Sequence, residues 1–362
     1  MSRVLAVNTG SSSIKLALLG ERSDEPLAAV ELDAPGVSVD TAQLRGALTG
    51  ALGDADIVVH RIVHGGTEFS DAVLIDGRVR AALHGLVSLA PLHQPKSLAA
   101  LDAVGGLLPG LPTVACFDTG FHASLPPAAA TFALPAAWRQ RWGLRRFGFH
   151  GLSHSHVARY VSETLGDGLR VVSCHLGAGA SLCAIADGRS LDTTMGFTPL
   201  DGLVMATRSG SVDPGLLLWL LEHTELREHE VAAALEHESG LYGLCGHADM
   251  RTVLDARAAG DARATLAVEV YVHRLRAGIA AMAAALGGCD VIVFTGGIGE
   301  HATAIRDEAL DGLGFLTEAS ALHPAARVLT VRAREDLEMA RQARRCCEAR
   351  ATGLQAPVRS RR

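Results

Sequence analysis

A chain of 362 residues exceeds the usual size of one domain, so two domains are expected. Its 48% apolar and 20% charged residues exclude disorder, and no uncharged apolar run reaches the roughly 18 residues that a membrane span needs. A net charge of −6 without a basic stripe argues against a nucleic-acid partner.

Met1 leads directly into a strand pattern with no basic leader, which predicts a cytoplasmic protein. Val4 to Leu19, VLAVNTGSSSIKLALL, reads as two apolar strands joined by a small-residue turn. Val171 to Ala186, VVSCHLGAGASLCAIA, repeats that reading after roughly half the chain. In each copy a polar residue, Asn8 or His175, ends the first strand, and the turn opens on Gly10 or Gly177. Small residues let backbone N–H groups approach an anion. Either copy alone could be an ordinary core hairpin. The repetition points to a duplicated domain with a phosphate-facing turn in each half.

Between the hairpins, Pro26 to Thr49 reads as a peripheral strand and a helix, and Asp56 to His60 as a buried strand entering Arg61-Ile-Val-His64-Gly-Gly. Helical spacing over Val79 to Leu89 and Lys96 to Leu107 is split by Pro91-Leu-His93-Gln-Pro95. Thr113 to Phe117 is a further strand, with Asp118-Thr-Gly-Phe-His122 at its carboxyl end, where open α/β sheets place ligands. The Pro- and Ala-rich stretch from Leu125 to Arg146 closes a first domain over 1–146, and a second follows over 147–334. There a helix is expected from Ser153, a polar loop over Asp192 to Pro199, and a helix to Leu221 with Asp213 as cap and Pro214 at its first position. Val231 to His237 reads as a short helix and Gly240 to Asp249 as a loop. Asp261 to Leu286 is the longest helical pattern, offering Leu266, Val270, Ile279, Met282 and Leu286 for one face. The strand Val291 to Phe294 enters Thr295-Gly-Gly-Ile-Gly-Glu300, a helix starts near Ala302, and the last runs from Glu335 to Glu348. Seven cysteines without metal-site spacing suit buried thiols in a reducing compartment.

The familiar fingerprints are missing. Gly296-Gly297-Ile298-Gly299 is not GxGxxG, and no GxxxxGK[ST], HRD/DFG pair or GxSxG elbow occurs. What remains is a set of polar residues placed after apolar strands and small-residue turns: Asn8, Arg61, Asp118, His150, His175, Arg208 and Asp249. Such a set suits phosphate handling, because amide-lined turns receive oxygens, arginines neutralise charge and carboxylates hold a divalent ion.

In order along the chain, NTGSSSIK, HRIVHGG, APLHQP, FDTGFH, FGFHGLSH, HLGAGAS, DTTMGFTPLDGLVMATRSGSVDP and FTGGIGE resemble the acetate and propionate kinase family. The resemblance covers almost the whole chain and is weakest over Leu19 to Asp54. It implies an α/β fold of two duplicated ribonuclease-H-like, actin-like ATPase domains around a nucleotide cleft, the first completed by a helix over 335–350. It implies reversible transfer of the ATP γ-phosphoryl group to acetate, giving acetyl phosphate and ADP. The alternatives are a kinase for propionate or another short-chain carboxylate, and a catalytically silent nucleotide-binding protein. ATP/ADP and Mg²⁺ (or Mn²⁺) are the implied cofactors, and a homodimer without membrane or nucleic acid is the implied assembly.

The resemblance also implies residue roles. Asn8 and Glu335 belong to the metal site, with Ser11, Ser13 and Lys15 around the first turn near the phosphates. Arg61 binds the substrate carboxylate or the transferring phosphoryl group. Asp118 is the essential acidic residue, read either as acid/base or as the group that positions the metal or a water. His150 and Arg208 stabilise the phosphoryl group in flight, in line and without a covalent intermediate. His175, Leu176, Gly177, Ala178 and Gly179 form the second phosphate turn. Asp249, Met250 and Arg251, with Gly297, Ile298, Gly299, Glu300 and His301, flank adenosine and ribose. Val63, Leu92, Phe149 and Pro199 surround the alkyl end of the acceptor, and the size of Val63 and Leu92 favours acetate. Ala178, Gln94, His301 and Arg334 each replace an Asn of the family pattern, and the chain is shorter than most relatives between Leu19 and Asp54.

Overall fold

The computed structural model describes residues 2–10, 13–21, 24–34, 39–91, 93–319 and 324–352; Ser11 and Leu92 lie outside them. The chain forms two compact units. The first contains the residues up to Ala123, Gly151–His156 and those from Arg334 onward; the second contains Ser124–His150 and Val157–Ala333. Residues 124–146, read above as the end of the first domain, therefore belong to the second unit. Local bonds explain this. Ser124 Oγ donates to the Ser190 carbonyl (3.2 Å), Arg146 Nη1 to that of Met195 (3.0 Å), and the Phe147 amide to that of Gly196 (3.0 Å).

The first unit is a six-stranded sheet in the order β3-β2-β1-β4-β6-β5. Its strands are β1 (Val4–Thr9), β2 (Ser13–Leu19), β3 (Ala28–Asp33), β4 (Ile57–Ile62), β5 (Val73–Leu74) and β6 (Thr113–Phe117). The hairpin β1–β2 is antiparallel, whereas β1, β4 and β6 run parallel. Side chains alternate across a strand with period two, and both faces of this sheet are covered. Val4, Ala6, Val59, Val114 and Cys116 pack against Leu337, Met339, Ala340 and Ala343 of the helix Glu335–Ala351. Leu5, Val7 and Val58 pack on the other face against Leu44 and Leu48 of Thr41–Leu48 and Ala100 and Val104 of Gln94–Leu107. Strands buried on both faces read as the continuous apolar runs seen in the sequence. The two-residue β5 carries no such run and was not anticipated.

The second unit repeats the plan with five strands in the order β11-β10-β7-β8-β9. These are β7 (Val171–Leu176), β8 (Ala180–Ala186), β9 (Arg189–Thr193), β10 (Val291–Thr295) and β11 (Arg327–Thr330). As in the first unit, an antiparallel meander is continued by parallel strands, here β7, β10 and β11. Gly296, at φ 80°, turns the chain sharply after β10, and a Cβ there would lie 2.8 Å from the Leu176 carbonyl oxygen. Asp213 caps the helix Pro214–His223 through a 2.9 Å bond from the Gly215 amide.

Three expectations for this unit change. Part of the loop placed at Asp192 is β9, which gains strand structure from pairing with β8 despite its polar sequence. Gly240–Cys245 is a helix, buried through Leu241 and Cys245. In the long helix Ala262–Ala285 the buried face is Ala264, Val268, Tyr271, Leu275, Ile279 and Met282, while Leu266 is 52% exposed.

On the Leu5/Val58 side of the first sheet, His60 is fully buried and neither ring nitrogen meets a hydrogen-bond partner among the described residues. Burial lowers its pKa to about 3, far below the ordinary value near 6.5. The folded state keeps the ring neutral where the unfolded chain takes up a proton. His60 thus favours the fold fully above about pH 6.5, and that contribution falls by about 1.4 kcal/mol per pH unit on the way down to its folded pKa. The His60→Leu variant should lose roughly 2–3 kcal/mol less stability than the native chain between pH 6.5 and 4.5. Urea midpoints at the two pH values measure the difference, and equal pH dependence would contradict the assignment.

Candidate active site

In the first unit three parallel strands end on the same pattern. Val4, Ala6 and Asn8, then Ile57, Val59 and Arg61, then Val114, Cys116 and Asp118 share a parity, so each polar residue extends the face covered by Glu335–Ala351. Arg61 Nε donates to Asp118 Oδ1 (2.9 Å) and Oδ2 (3.0 Å), Nη2 donates to Oδ2, and Nη1 donates to Asn8 Oδ1 (3.0 Å). Asn8 Nδ2 in turn donates to Glu335 Oε2 (2.9 Å), at the first turn of the covering helix. One contiguous network results.

Asp118 is 1% exposed. Burial pushes its carboxyl pKa up, Arg61 opposes this and Glu335 adds to it; the net direction is upward. For Arg61, burial disfavours the charge, but Asp118 and Glu335 more than offset it, and the pKa rises. A guanidinium cannot give up its proton in a protein. With three of its hydrogen bonds on the carboxylate, the pair is ionised.

The second unit gathers His150, His175, Gly179 and Arg208. β7 and β8 pair His175 with Ser181 and Leu176 with Ala180, leaving Gly177, Ala178 and Gly179 as the turn. His150 Nδ1 lies 3.0 Å from Ser181 Oγ, and its ring centroid is 4.4 Å from that of His175. A Cβ at Gly179 would come within 3.2 Å of His150 Nε2 and 3.6 Å of Arg208 Nη1. A side chain here would crowd the His150 ring, while Arg208 lies at ordinary contact distance from this position. His150 itself adopts φ 55°, a left-handed conformation unfavourable for a residue with a Cβ. Such strain concentrates at functional positions.

Arg208 Nε pairs with Glu236 Oε1 at 3.0 Å, and Nη1 donates to the Pro199 carbonyl at 3.3 Å. Ala178 is exposed, and its carbonyl accepts the Ala206 amide at 3.0 Å. The backbone bond holds the turn without an Asn side chain.

Other predicted residues are held elsewhere. Ser13 Oγ donates to Glu31 Oε1 (2.7 Å), and the exposed Lys15 has Nζ 3.8 Å from the same oxygen. Asp249 caps the helix Met250–Ala258; the Thr252 and Arg251 amides hold its pKa low. Met250 is buried and Arg251 exposed. Gly297 to His301 lie in the helix Gly296–His301, with Gly297 and His301 exposed and Gly299 buried. Glu300 Oε1 accepts from the amides of Gly296 (3.1 Å) and Ala333 (2.9 Å), so its carboxylate braces the chain after β10. Val63 and Phe149 are buried, and Pro199 is half-buried. Two buried residues, Glu236 and Ser181, were missed. Ser181 could have been found by pairing it with His175 across the hairpin; Glu236 has no local signal.

Two sheets, each beginning as an antiparallel meander and continuing in parallel strands, define an actin-like ATPase fold. A model of the acetokinase family matches residues 37–327. The chain belongs to that family. An acetate kinase of Nostoc punctiforme is 48% identical over 269 residues, which cover 73% of this chain and 66%, just under two thirds, of that protein. The structure of a propionate kinase from Francisella tularensis superposes with a TM-score of 0.88 at 32% identity, covering 95% of this chain and all of the other. That of Porphyromonas gingivalis acetate kinase gives 0.85 at 33% identity, over 96% of this chain and all of the other.

Replacing Glu236 by Gln keeps the shape but removes the charge opposite Arg208. Turnover in a phosphotransfer assay should fall about tenfold to a hundredfold, the scale of a misplaced binding group, with an unchanged circular dichroism spectrum. Native turnover in the folded variant would remove Glu236 from the site.

Proposed function

We propose that this chain is an acetate kinase. A carboxylate oxygen of acetate attacks the γ-phosphorus of ATP, the bond to the β-phosphate oxygen breaks, and acetyl phosphate and ADP are released; the reverse transfer makes ATP. The observation that carries the reading is the partly buried Asn8–Arg61–Asp118–Glu335 network at the strand ends of an acetokinase-family chain. Acetate is ionised near neutral pH, so the attack needs no general base. Arg61 binds the acceptor carboxylate or the phosphoryl group, and Asp118 and Asn8 hold its guanidinium in place. Arg208 and His150 donate to the phosphoryl oxygens over which charge spreads in the transition state. The turn from His175 to Gly179 takes the nucleotide phosphates, which the glycine-backed approach of His150 supports. Asp249 to Arg251 and Gly297 to His301 flank the nucleoside. Val63, Phe149 and Pro199 border the acceptor methyl group.

Family membership carries ATP/ADP and a divalent cation with it, and Mg²⁺, replaceable by Mn²⁺, is the proposed ion. Among the described residues no group of three His, Cys, Asp or Glu side chains could hold a metal. Glu335 and Asn8 offer hard oxygen donors of the kind Mg²⁺ takes alongside phosphates and waters. When bound, the cation neutralises phosphate charge. No helix among the described residues is long and apolar enough to cross a membrane. All seven cysteines are free and six are buried, which supports a cytoplasmic setting.

With ATP, Mg²⁺ and acetate, hydroxylamine trapping should reveal acetyl phosphate. No turnover with acetate, propionate or butyrate sinks the kinase reading. Propionate is the second reading, supported by the Francisella tularensis neighbour, and the ratio of specificity constants decides between the two. Because one methylene is worth only about 1–3 kcal/mol, the preference should lie between roughly tenfold and 200-fold. Arg208→Ala should lower kcat by at least about a hundredfold, as loss of a transition-state donor does.

The proposal includes a homodimer. Leu216 to Leu221 are six consecutive large apolar residues of the helix Pro214–His223, and none is buried. A contiguous exposed apolar surface of this kind marks an interaction site. Light scattering should give twice the chain mass for the native protein and the chain mass for a folded Leu218→Asp variant. A native monomer would refute the dimer.

A further inference from the structure

Of the 33 lysines and arginines only two are lysines, Lys15 and Lys96. Their settings are opposite. Lys96 is 4% exposed, and its Nζ donates to the Ala34 carbonyl. The Lys15 side chain is 63% exposed, so it is the lysine amine that a solute can reach. The distinction carries chemistry: a guanidinium keeps its proton and is no nucleophile, whereas a lysine amine is the target of acetylation.

Strand register places Lys15 beside the polar edge of the first unit. Directly opposite residues of antiparallel strands share a face, and Lys15 of β2 is opposite Asn8 of β1 and Glu31 of β3. Glu31, Lys15 and Asn8 thus form one row, which hydrogen bonds extend from Asn8 to Arg61 and Glu335. Strands lie about 4.8 Å apart, so β2 is roughly 10 Å from the strand that carries Arg61. The four-carbon stem of Lys15 and a bound acyl group together span that gap. Lys15 Nζ lies 3.8 Å from Glu31 Oε1, with both side chains exposed. Such a pair is worth only about 0–1 kcal/mol and releases the amine easily.

Acetyl phosphate, the product of the proposed reaction, is a mixed anhydride. ADP takes its phosphorus; an amine takes its carbonyl carbon. The Lys15 ammonium first gives a proton to solvent, and its lone pair then adds to that carbon. The C–N bond forms and the C–O bond to phosphate breaks. Phosphate leaves with the electron pair and one further amine proton, and nothing is oxidised or reduced. Acetyl phosphate held at Arg61 stays within reach of the row, and a held reactant gains effective molarity over a free one. Burial pushes the Lys96 pKa down and so favours its free amine, but the same burial withholds it from the reagent.

We infer that Lys15 is a self-acetylation site, modified by acetyl phosphate held at the Arg61 edge, and that losing its charge slows the enzyme by weakening the hold on nucleotide phosphates. The inference rests on the proposed function. The full chain is incubated with a concentration series of acetyl phosphate without ADP, and its tryptic peptides are quantified by mass spectrometry. Acetylation removes the cleavage site after Lys15. Lys15 should react at least about tenfold faster than Nα-acetyl-lysine amide under the same conditions. Its rate should saturate, with half-saturation near the KM of acetyl phosphate in ATP synthesis, and Lys96 should react only after unfolding in urea. A rate linear in acetyl phosphate, a rate equal to that of the model amine, or preferential modification of Lys96 or the amino terminus overturns the site. ATP, Mg²⁺ and acetate together should also acetylate Lys15, and ATP with Mg²⁺ alone should not. As Lys15 becomes acetylated, the KM for ATP should rise about tenfold, the scale of one lost charged hydrogen bond. The same treatment should leave the KM of Lys15→Arg where it was, and Lys15→Gln should show the raised KM untreated. An unchanged KM at complete Lys15 acetylation, or an equal rise in treated Lys15→Arg, overturns the effect on catalysis. A chain that forms no acetyl phosphate from ATP and acetate would refute the proposed function; one that forms it and leaves Lys15 unmodified would refute this site alone.

Discussion

Arg61 and Asp118 form the interaction on which the first unit's polar edge depends. A guanidinium that stays charged needs an anion when buried, and the carboxylate beside it is equally costly alone. Each therefore requires the other, Arg61 near the end of β4 and Asp118 directly after β6. The same guanidinium reaches Asn8, and Asn8 reaches Glu335, so residues from three strands and a helix more than 200 residues later in the chain are joined by hydrogen bonds. Removing one member of such a pair leaves an uncompensated buried charge, at a cost of about 3–5 kcal/mol. The arrangement of this polar edge and its local stability are thus carried by the same contacts.

The second unit gathers His150, His175 and Arg208 by a different physical route. Here the constraint is steric: glycine at 179 leaves room for the His150 ring close to the turn, and His150 sits in a left-handed conformation beside it. Glu236 and Ser181 hold these side chains by an ion pair and a hydrogen bond. The order β3-β2-β1-β4-β6 of the first sheet matches β9-β8-β7-β10-β11 of the second, and each unit carries an internal salt bridge, Arg61–Asp118 in the first and Arg208–Glu236 in the second.

Much of this was legible before any coordinates. Both hairpins, β4, β6 and β10 announce themselves as apolar runs, because strands covered on both faces need no alternation. The polar residue after each run could be read as a site candidate from its position alone. Short or polar elements could not. β5, β9 and β11 owe their strand structure to neighbours, and the helix Gly240–Cys245 owes its stability to burial. Periodicity placed Ile279 and Met282 of Ala262–Ala285 in the core, where they are, but missed the alanines that serve as core there and put Leu266, which faces solvent, on the same face.

By itself, the sequence determined the duplicated α/β plan, the family and the side-chain types available for phosphate chemistry, all of which are local or ordered along the chain. Tertiary structure decided which groups meet. It put both Asp118 oxygens on Arg61, Glu300 on the backbone after β10, and Glu236 against Arg208. It also assigned residues 124–146 to the second unit. Such pairings depend on strand register and helix docking between distant segments, and no local spacing encodes them.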